Sequence, residues 1–295
     1  MSADRPFATR TLTAGASRLT LVPEAGGAIA AWRVGDQRMF YETDIAAAPE
    51  WDPLAMASFP LVPYSNRIGG GSFVWNGVAH RLPPNRTGFA YPLHGVGWLR
   101  AWQVEACGDA FAVLRYEHRG DADWPWSFSA EQRFVLVPEG LMVDLAVTNR
   151  SAAAAPLATG MHPYFDASGA HLQFAAERIW HAGADQLPVH AAVPDATSDF
   201  AAGRMVADGV LDNGYDGWDG RAAIWWDERP LGLTILSDLA CAVVYTPVDG
   251  GFFCFEPVAH SNNALNLGEA GQPMPVAAPG ETIRASVAFE LWERI

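Results

Sequence analysis

One carboxylate, Glu256, ends a run of four apolar residues and stands directly before a proline. Because side chains alternate across a strand, Glu256 shares a face with Phe252 and Cys254, and Phe253 and Phe255 form the other face. Both faces are apolar, so the strand is predicted to be buried on both sides. Burial raises the pKa of a glutamate from about 4.3 toward neutrality, where it can act as a general base. A strand-end glutamate pointing into water is the alternative, and this stretch alone does not decide between them.

Four other segments carry polar residues where a strand pattern would not place them. Asn66 and Arg67 precede a glycine run, His94 lies between apolar and glycine residues, and His162 stands beside a proline and aromatics; Asp212 heads an acidic loop. Taken singly, each has a structural explanation, such as a turn, a surface ion pair or a buried histidine with satisfied hydrogen bonds. Together with a glutamate, histidines can exchange protons near neutral pH, which is the chemistry of general acids and bases.

The composition of the chain argues against several classes of partner and site. The chain has 295 residues, half of them hydrophobic, and a net charge of -14, which argues against nucleic acid or an anionic membrane surface as a partner. Three widely spaced cysteines without a C-x-x-C pair argue against a cysteine zinc site and a disulfide framework. The polar N-terminus resembles no signal peptide, and the longest apolar stretch, 231–244, is too short to span a bilayer. We expect a cytoplasmic protein.

Common site motifs are missing from the sequence. The glycine run at 68–74 lacks the third glycine of a dinucleotide fingerprint, and there is neither a phosphate-binding G-x-x-x-x-G-K-[ST] loop nor a G-x-S-x-G elbow. The acidic loop 211–219 has its glycine and glutamate in the wrong places for an EF-hand. No pair of histidines has metal-ligand spacing. The possibilities that remain are acid–base catalysis without a metal and ligand binding without catalysis.

The elements that must position these residues are short strands. The clearest hairpin joins 72–75 to 78–82 through Asn76-Gly77, which suits the positive φ angles of a type I′ turn. No segment has a sustained apolar stripe at helical period; at most a turn or two of helix fits 44–57, and 186–210 resembles surface loops. The pattern predicts an all-β fold, a large antiparallel β-sandwich, with residues 1–295 as a single domain.

Four motifs in fixed order resemble the aldose 1-epimerase (galactose mutarotase) family. They are Asn-Arg-Ile-Gly at 66–69, Leu-His-Gly-x-Gly-Trp at 93–98, His-Pro-Tyr-Phe at 162–165 and Glu-Pro-Val-x-His at 256–260. The resemblance runs from about Pro60 to the C-terminus. No single motif is specific, but the ordered set is.

The resemblance implies a β-sandwich of the galactose mutarotase type with an open sugar cleft on one sheet. It also implies interconversion of α- and β-anomers with no metal and no organic cofactor. By motif, the resemblance implies that Glu256 is the general base at the C1 hydroxyl and His162 the general acid at the ring oxygen. It also implies that His94 hydrogen-bonds near that oxygen. The implied partner is a monosaccharide, bound by a monomer or a homodimer.

The remaining motif positions correspond to substrate binding. Arg67 and Asp212 are expected to orient the other hydroxyls, with Asn66 supporting Arg67. Around His162 the sequence departs from the better-known Asn-His-Ser-Tyr-Phe-Asn pattern, since residues 161–166 read Met-His-Pro-Tyr-Phe-Asp. This departure bears on which sugar is used rather than on the reaction. His260 is expected to shape the loop through the asparagines that follow it.

Three alternatives remain open on the sequence. A hexose-6-phosphate 1-epimerase needs a cationic pocket, for which Arg81, Arg86 and Arg100 are candidates. A non-catalytic sugar-binding module could keep the cleft without the chemistry. A glycoside hydrolase could use Asp212 and Glu256 as its carboxylate pair, but it leaves the two histidines unexplained.

Overall fold

Strands account for most of the regular structure in this computed structural model, which describes residues 7–42, 52–206, 209–248 and 250–294. The strands are β1 (Arg10–Ala14), β2 (Ser17–Val22), β3 (Ala28–Val34), β4 (Gln37–Arg38), β5 (Ser72–Trp75), β6 (Val78–Arg81), β7 (Gln103–Cys107), β8 (Phe111–His118), β9 (Phe128–Val137), β10 (Gly140–Asn149), β11 (Ala155–Pro156), β12 (Tyr164–Asp166), β13 (Ala170–Phe174), β14 (Arg178–Ala182), β15 (Pro188–Ala192), β16 (Arg204–Met205), β17 (Leu211–Asp216), β18 (Arg221–Trp226), β19 (Leu231–Ser237), β20 (Cys241–Thr246), β21 (Phe252–Val258), β22 (Val276–Ala277) and β23 (Thr282–Glu293). A short helix, α1, spans Ala264–Leu267, and 3-10 turns occur at Pro53–Ala55, Gly69–Gly71, Gly97–Leu99 and Gly268–Ala270.

Two large sheets dominate the fold. One has nine strands in the order β16-β13-β18-β19-β23-β10-β9-β8-β7, and the other has six in the order β12-β21-β20-β17-β14-β15. A four-stranded sheet, β1-β2-β3-β4, and the ribbons β5-β6 and β11-β22 complete the architecture. All strand pairings in these sheets are antiparallel. No helix within the described ranges is long and apolar enough to cross a membrane.

Apolar side chains from the two large sheets meet in a common core. Alternate residues of β10 from Leu141 to Val147 are buried, as expected when one face of a strand packs inward. Phe174 of β13 meets Phe255 of β21 edge to face, with ring centroids 5.0 Å apart. The two sheets therefore form a β-sandwich, and the predicted all-β antiparallel fold is confirmed.

The four-stranded sheet is attached to the sandwich by aromatic contacts. Phe40, just after β4, lies 5.0 Å from Phe289 of β23 and 5.5 Å from Phe165 of β12, both edge to face. Trp32 of β3 completes the cluster at 5.2 Å from Phe40. Each such pair contributes about 0.5–1.5 kcal/mol beyond area burial. Phe40 thus connects β4 to both large sheets.

The structure agrees with some of the predictions for individual segments and differs from others. The Asn76-Gly77 hairpin forms as expected, with φ of 49° and 78° at the two turn residues. The interpretation of 186–210 as loops is partly wrong, because β15 and β16 lie there and pair with β14 and β13. Most of the helical turn expected at 44–57 falls on 43–51, outside the described residues; Pro53–Ala55 forms a 3-10 turn.

Candidate active site

A cavity of about 320 Å3 lies over the face of the six-stranded sheet that points away from the sandwich core. This volume falls in the range of about 300–1,000 Å3 that is usual for small-molecule sites. Its wall contains all six residues singled out from the sequence. The lining residues are Leu54, Asn66, Arg67, Phe89, Leu93, His94, His162, Tyr164, Gln186, Asp212, Tyr245, Phe252 and Glu256.

Strand register places a polar row beneath the cavity. Tyr164 of β12 is opposite Cys254 of β21, Cys254 is opposite Tyr245 of β20, and Tyr245 is opposite Asp212 of β17. Directly paired residues of a sheet point to the same side, so these four side chains share one face. Glu256 follows Cys254 by two positions and joins that face. The alternation predicted for this strand therefore holds.

Glu256 and His162 form a buried pair. Both residues are almost inaccessible, at 2% and 5% exposure, and His162 Nε2 lies 3.3 Å from Glu256 Oε1. Burial raises the pKa of Glu256 well above its usual value; nearby Asp212 raises it further and Arg67 opposes the shift. Burial lowers the pKa of His162 to about 3. The two shifts reverse the usual order of the two pKa values, so both groups are neutral at neutral pH, with the proton on Glu256. Because the two side chains are 3.3 Å apart, the pair titrates as a coupled unit.

The His162 ring is held by aromatic neighbours. It contacts Phe59, at 4.6 Å, and Tyr164, at 4.8 Å, both in stacked orientation, and His94 meets it edge-on at 5.1 Å. These rings exclude water from the imidazole, which is the physical cause of its lowered pKa. Nδ1 of His162 and Oε2 of Glu256 are buried with no hydrogen-bond partner among the described residues. Buried unsatisfied polar atoms are rare in native structures and often mark functional groups.

His94 sits on a strained turn. Its φ of 57° lies in the left-handed region, and so does the φ of 67° at Gly95, where a side chain would place Cβ 2.3 Å from the Val62 carbonyl oxygen. Asn85 fixes the turn, because its side-chain amide donates to the carbonyls of Leu93 and Gly95 at 2.7 and 2.9 Å. Backbone strain of this kind persists where the surroundings enforce it, and it is common at functional sites.

The tautomer of His94 follows from its hydrogen bond. The backbone N–H of Asn66 donates to His94 Nδ1 at 3.1 Å, which leaves Nε2 to carry the ring proton. Burial lowers the pKa of His94 well below its usual value, and the neighbouring His162 and Arg67 lower it further. His94 is therefore a neutral hydrogen-bond donor in the cavity wall.

Arg67 is the centre of a polar cluster in the wall. Its Nη2 donates to Gln186 Oε1 at 2.6 Å and lies 3.5 Å from Asp212 Oδ2, and its Nη1 donates to Asn66 Oδ1 at 3.4 Å. Asn66 also accepts the Arg67 backbone N–H at 2.9 Å. The guanidinium is thus fixed against three groups, and the sequence-predicted pairing of Asn66 with Arg67 is present.

The loop after Glu256 supports this cluster from behind. His260 Nε2 accepts the backbone N–H of Ser65 at 3.2 Å, and its Nδ1 donates to the Ser261 carbonyl at 2.8 Å. Asn263 Oδ1 accepts the backbone N–H of Gly69 at 2.9 Å. His260 and Asn263 thus brace the two ends of segment 65–69, which carries Asn66 and Arg67.

Several wall residues escaped the sequence interpretation. Tyr164 lies inside the His-Pro-Tyr-Phe motif and Phe252 shares the face of Glu256, so both carried a signal that was not used. Tyr245 is recognisable only through its strand register. Gln186 and Phe89 come from irregular segments, where no periodicity marks them.

One group of potential metal ligands lies at this site. His162, Cys254 and Glu256 each offer a ligand atom, and these atoms lie within 4.8 Å of one another. No other such group of three is found within the described ranges.

The comparisons with known proteins agree with the fold and the motifs. The family model "Aldose 1-epimerase" matches residues 9–290, so the chain belongs to the aldose 1-epimerase family. The uncharacterised protein YphB of Escherichia coli K12 is 33% identical over 257 residues, which cover 79% of this chain and 83% of YphB.

Solved structures show the same architecture. A proposed aldose 1-epimerase from Escherichia coli K12 superposes with a TM-score of 0.90 and 28% identity, covering 98% of this chain and 100% of that one. A galactose 1-epimerase from Lactobacillus acidophilus NCFM superposes with a TM-score of 0.80 and 16% identity, covering 100% and 98%. The second likeness shows the fold alone. The predicted galactose mutarotase type of sandwich is confirmed.

Proposed function

We propose that the chain is an aldose 1-epimerase, an isomerase that interconverts the α- and β-anomers of a free aldose. The observation that carries this proposal is the buried pair of His162 and Glu256, 3.3 Å apart in the wall of a cavity of sugar size, with the neutral donor His94 beside it. Membership of the aldose 1-epimerase family supports it.

In the proposed reaction, the Glu256 carboxylate takes the proton of the C1 hydroxyl while the bond between C1 and the ring oxygen O5 breaks. The electron pair of that bond moves to O5, which receives a proton from protonated His162, and an open-chain aldehyde results. Rotation about C1–C2 presents the other face of the aldehyde, and ring closure reverses both proton transfers. Each positioned acid or base is expected to increase the reaction rate by about 10²–10⁴-fold.

The closeness of the pair suits this reaction, because O1 and O5 share the carbon C1. Transfer of one proton from the carboxyl of Glu256 to the imidazole of His162 creates a carboxylate and an imidazolium, the base and the acid that ring opening needs. The Nε2–H of His94 stabilises charge on O5. Arg67 and Asp212 hold the distal hydroxyls, so that only the C1 end rotates.

The charges of the cavity favour an uncharged sugar. Arg67 is the cation that lines it in the described part of the chain, and it already faces Asp212. Arg86 and Arg100, considered as phosphate ligands, are each bound to an aspartate at 2.7–2.9 Å and lie outside the wall. Arg81 belongs to β6 and also lies outside it. Among the lining residues that the structure describes, a phosphate would therefore find no cation without an acidic partner.

Anomer exchange measured by saturation-transfer NMR tests the proposal. The panel comprises galactose, glucose, arabinose and the 6-phosphates of the two hexoses, each with the parent protein and with Glu256→Gln. We expect faster exchange for at least one free aldose and none with the variant. Acceleration of phosphates alone would instead identify a hexose-6-phosphate 1-epimerase.

Two further outcomes would replace the proposal. Sugar binding without exchange would indicate a non-catalytic binding module. Release of sugar from aryl glycosides would indicate a hydrolase that uses Asp212 and Glu256. We also propose that residues 1–295 work as one domain whose partner is a monosaccharide, in the cytoplasm, as a monomer or a homodimer.

A further inference from the structure

Cys254 lies beside the proposed catalytic pair and has no part in the proposed reaction. Its sulfur, a ring nitrogen of His162 and a carboxylate oxygen of Glu256 lie within 4.8 Å of one another, and all three residues are buried. We propose that these three side chains bind a thiophilic divalent cation such as Zn²⁺ or Cd²⁺, which thereby blocks the proposed acid–base pair.

The donor set fits this class of ion. Zinc takes thiolate sulfur, imidazole nitrogen and carboxylate oxygen, and hard cations such as Mg²⁺ prefer oxygen alone. With bonds of about 2.0–2.3 Å, ligand atoms of a tetrahedral site lie roughly 3.5 Å apart. His162 Nε2 and Glu256 Oε1 are already 3.3 Å apart. Closing the set around an ion therefore requires sulfur displacements on the order of 1 Å.

The strand geometry holds the ligands in place. Cys254 and Glu256 are two positions apart on β21 and face the same side, and His162 reaches Glu256 from the segment that leads into β12. The ladder of β21 positions two of the ligands, and the segment that carries His162 is tied to the same strand because the backbone N–H of Met161 donates to the Pro257 carbonyl at 3.0 Å. Because His162 and Glu256 line the cavity, an ion has a path to them from solvent.

The ligand atoms are not committed elsewhere. Glu256 Oε2 has no hydrogen-bond partner among the described residues, and the Cys254 thiol makes no hydrogen bond there either. Cys241 differs, because its thiol donates to Asp216 Oδ1 at 3.4 Å. Burial raises the pKa of the Cys254 thiol, so the free thiol is inert. When the metal–sulfur bond forms, the thiol proton leaves to water, as is usual for coordinated cysteine.

Occupation of the site removes the proposed catalyst. The imidazole lone pair of His162 and the carboxylate of Glu256 would both be bound to the ion, so neither could move a proton. This inhibition rests on the proposed function, whereas binding of the ion does not. The two statements can therefore be tested separately.

Cobalt(II) serves as the spectroscopic probe, because a thiolate ligand gives it a charge-transfer absorption in the near ultraviolet. The full chain carries Cys107→Ser, which removes the exposed thiol. We expect the band in this protein and in a version that also carries Cys241→Ser, the matched buried control. Adding Cys254→Ser should abolish the band and weaken Co²⁺ affinity by at least about tenfold. Cys254→Ala is a second variant in case serine disturbs the fold.

A measurement on the parent protein needs no Cys254 variant. Zinc X-ray absorption of the Cys107→Ser protein with one equivalent of Zn²⁺ should show one sulfur ligand at about 2.3 Å. Absence of sulfur from the zinc shell, or a cobalt band that persists in both Cys254 variants, would overturn the site. In the exchange assay, Zn²⁺ should inhibit the Cys107→Ser protein, and EDTA should restore its activity. The protein that also carries Cys254→Ser should stay active in the presence of Zn²⁺. A sulfur-bound ion in a protein that exchanges no sugar would refute the proposed function and leave the site standing.

Discussion

Replacement of Glu256 with glutamine separates the chemical role of this residue from its effect on stability. The Glu256 side chain is buried, and burial together with Asp212 raises the pKa of its carboxyl. Glutamine has nearly the same size but cannot ionise. We therefore expect Glu256→Gln to lose anomer exchange while the folded protein becomes more stable at neutral pH.

The loss of activity has an expected size. One positioned base contributes about 10²–10⁴-fold, and each factor of ten is about 1.36 kcal/mol. The activation free energy should rise by about 2.7–5.4 kcal/mol. Sugar affinity should change much less, because the proposed function assigns the distal hydroxyls to Arg67 and Asp212, which also line the cavity.

The gain in stability has an expected sign. The pKa of Glu256 is higher in the folded chain than in the unfolded chain, so between the two values the unfolded chain binds fewer protons. The free energy of unfolding then falls as the pH rises through that interval. This contribution is fully present below the unfolded pKa of about 4.3 and lost above the folded one. Glutamine does not titrate, so the free energy of unfolding of the variant does not fall in this way. At pH 7 it should be larger than that of the parent protein.

Saturation-transfer NMR measures exchange, calorimetry measures sugar binding, and urea unfolding from pH 4 to pH 8 measures stability. Glu131→Gln on β9 is the matched control, since this residue lies on the nine-stranded sheet outside the cavity wall. It should leave exchange unchanged. A Glu256→Gln protein that exchanges anomers at the parent rate would refute the assigned base. A lower free energy of unfolding at pH 7 would refute the burial argument.

Three further predictions concern the surroundings of this pair. Arg67→Gln should move the alkaline limb of the pH–rate profile to higher pH and Asp212→Asn should move it to lower pH, because the proton that the pair needs resides on Glu256, whose pKa Arg67 lowers and Asp212 raises; shifts in the same direction would contradict this. His162→Gln should lower kcat by about 10²–10⁴-fold with sugar binding retained in calorimetry, and an unchanged kcat would exclude the acid role. His260→Gln should flatten the acid-induced loss of stability: the pKa of His260 is about 4 when folded and 6.5 unfolded, so the unfolded chain binds more protons and stability falls as the pH drops from 6.5 to 4. Urea unfolding should register this as about 3 kcal/mol in the parent protein, and an equal loss in the variant would count against it.

The sequence predicted those parts of the fold that local patterns determine. Asn76 and Gly77 define a hairpin because a two-residue type I′ turn needs positive φ at both central residues, which asparagine and glycine adopt most readily. The alternation around Glu256 likewise predicted which side chains share a face. Strand order was not predictable, because β21 pairs with β12 and β20 through contacts that depend on the whole chain.

The site was predictable where motifs carried it. Asn66, Arg67, His94 and His162 were recognised by short patterns around them, and the structure brings them to one cavity with Glu256. Their catalytic and binding roles stay predictions until activity is measured.

Other wall residues lacked a pattern. Gln186 lies in a connection with φ of 62°, and its contact with Arg67 joins residues far apart in sequence. The absence of a C-x-x-C pair argued against a cysteine zinc site, but spacing rules compare only neighbours along the chain and so do not test Cys254. Its potential co-ligand His162 approaches across the sheet instead.

Strand β21 contributes to the core and to the cavity at once, so the two cannot form independently. Phe253 and Phe255 pack between the sheets, with Phe255 5.0 Å from Phe174, while Cys254 and Glu256 face the other way. A slip of one residue against β20 would exchange the two sets. The carboxyl of Glu256 would then be buried among phenylalanine rings without a partner, which costs several kcal/mol. Selection of the register by the core therefore also selects the position of Glu256 in the cavity wall.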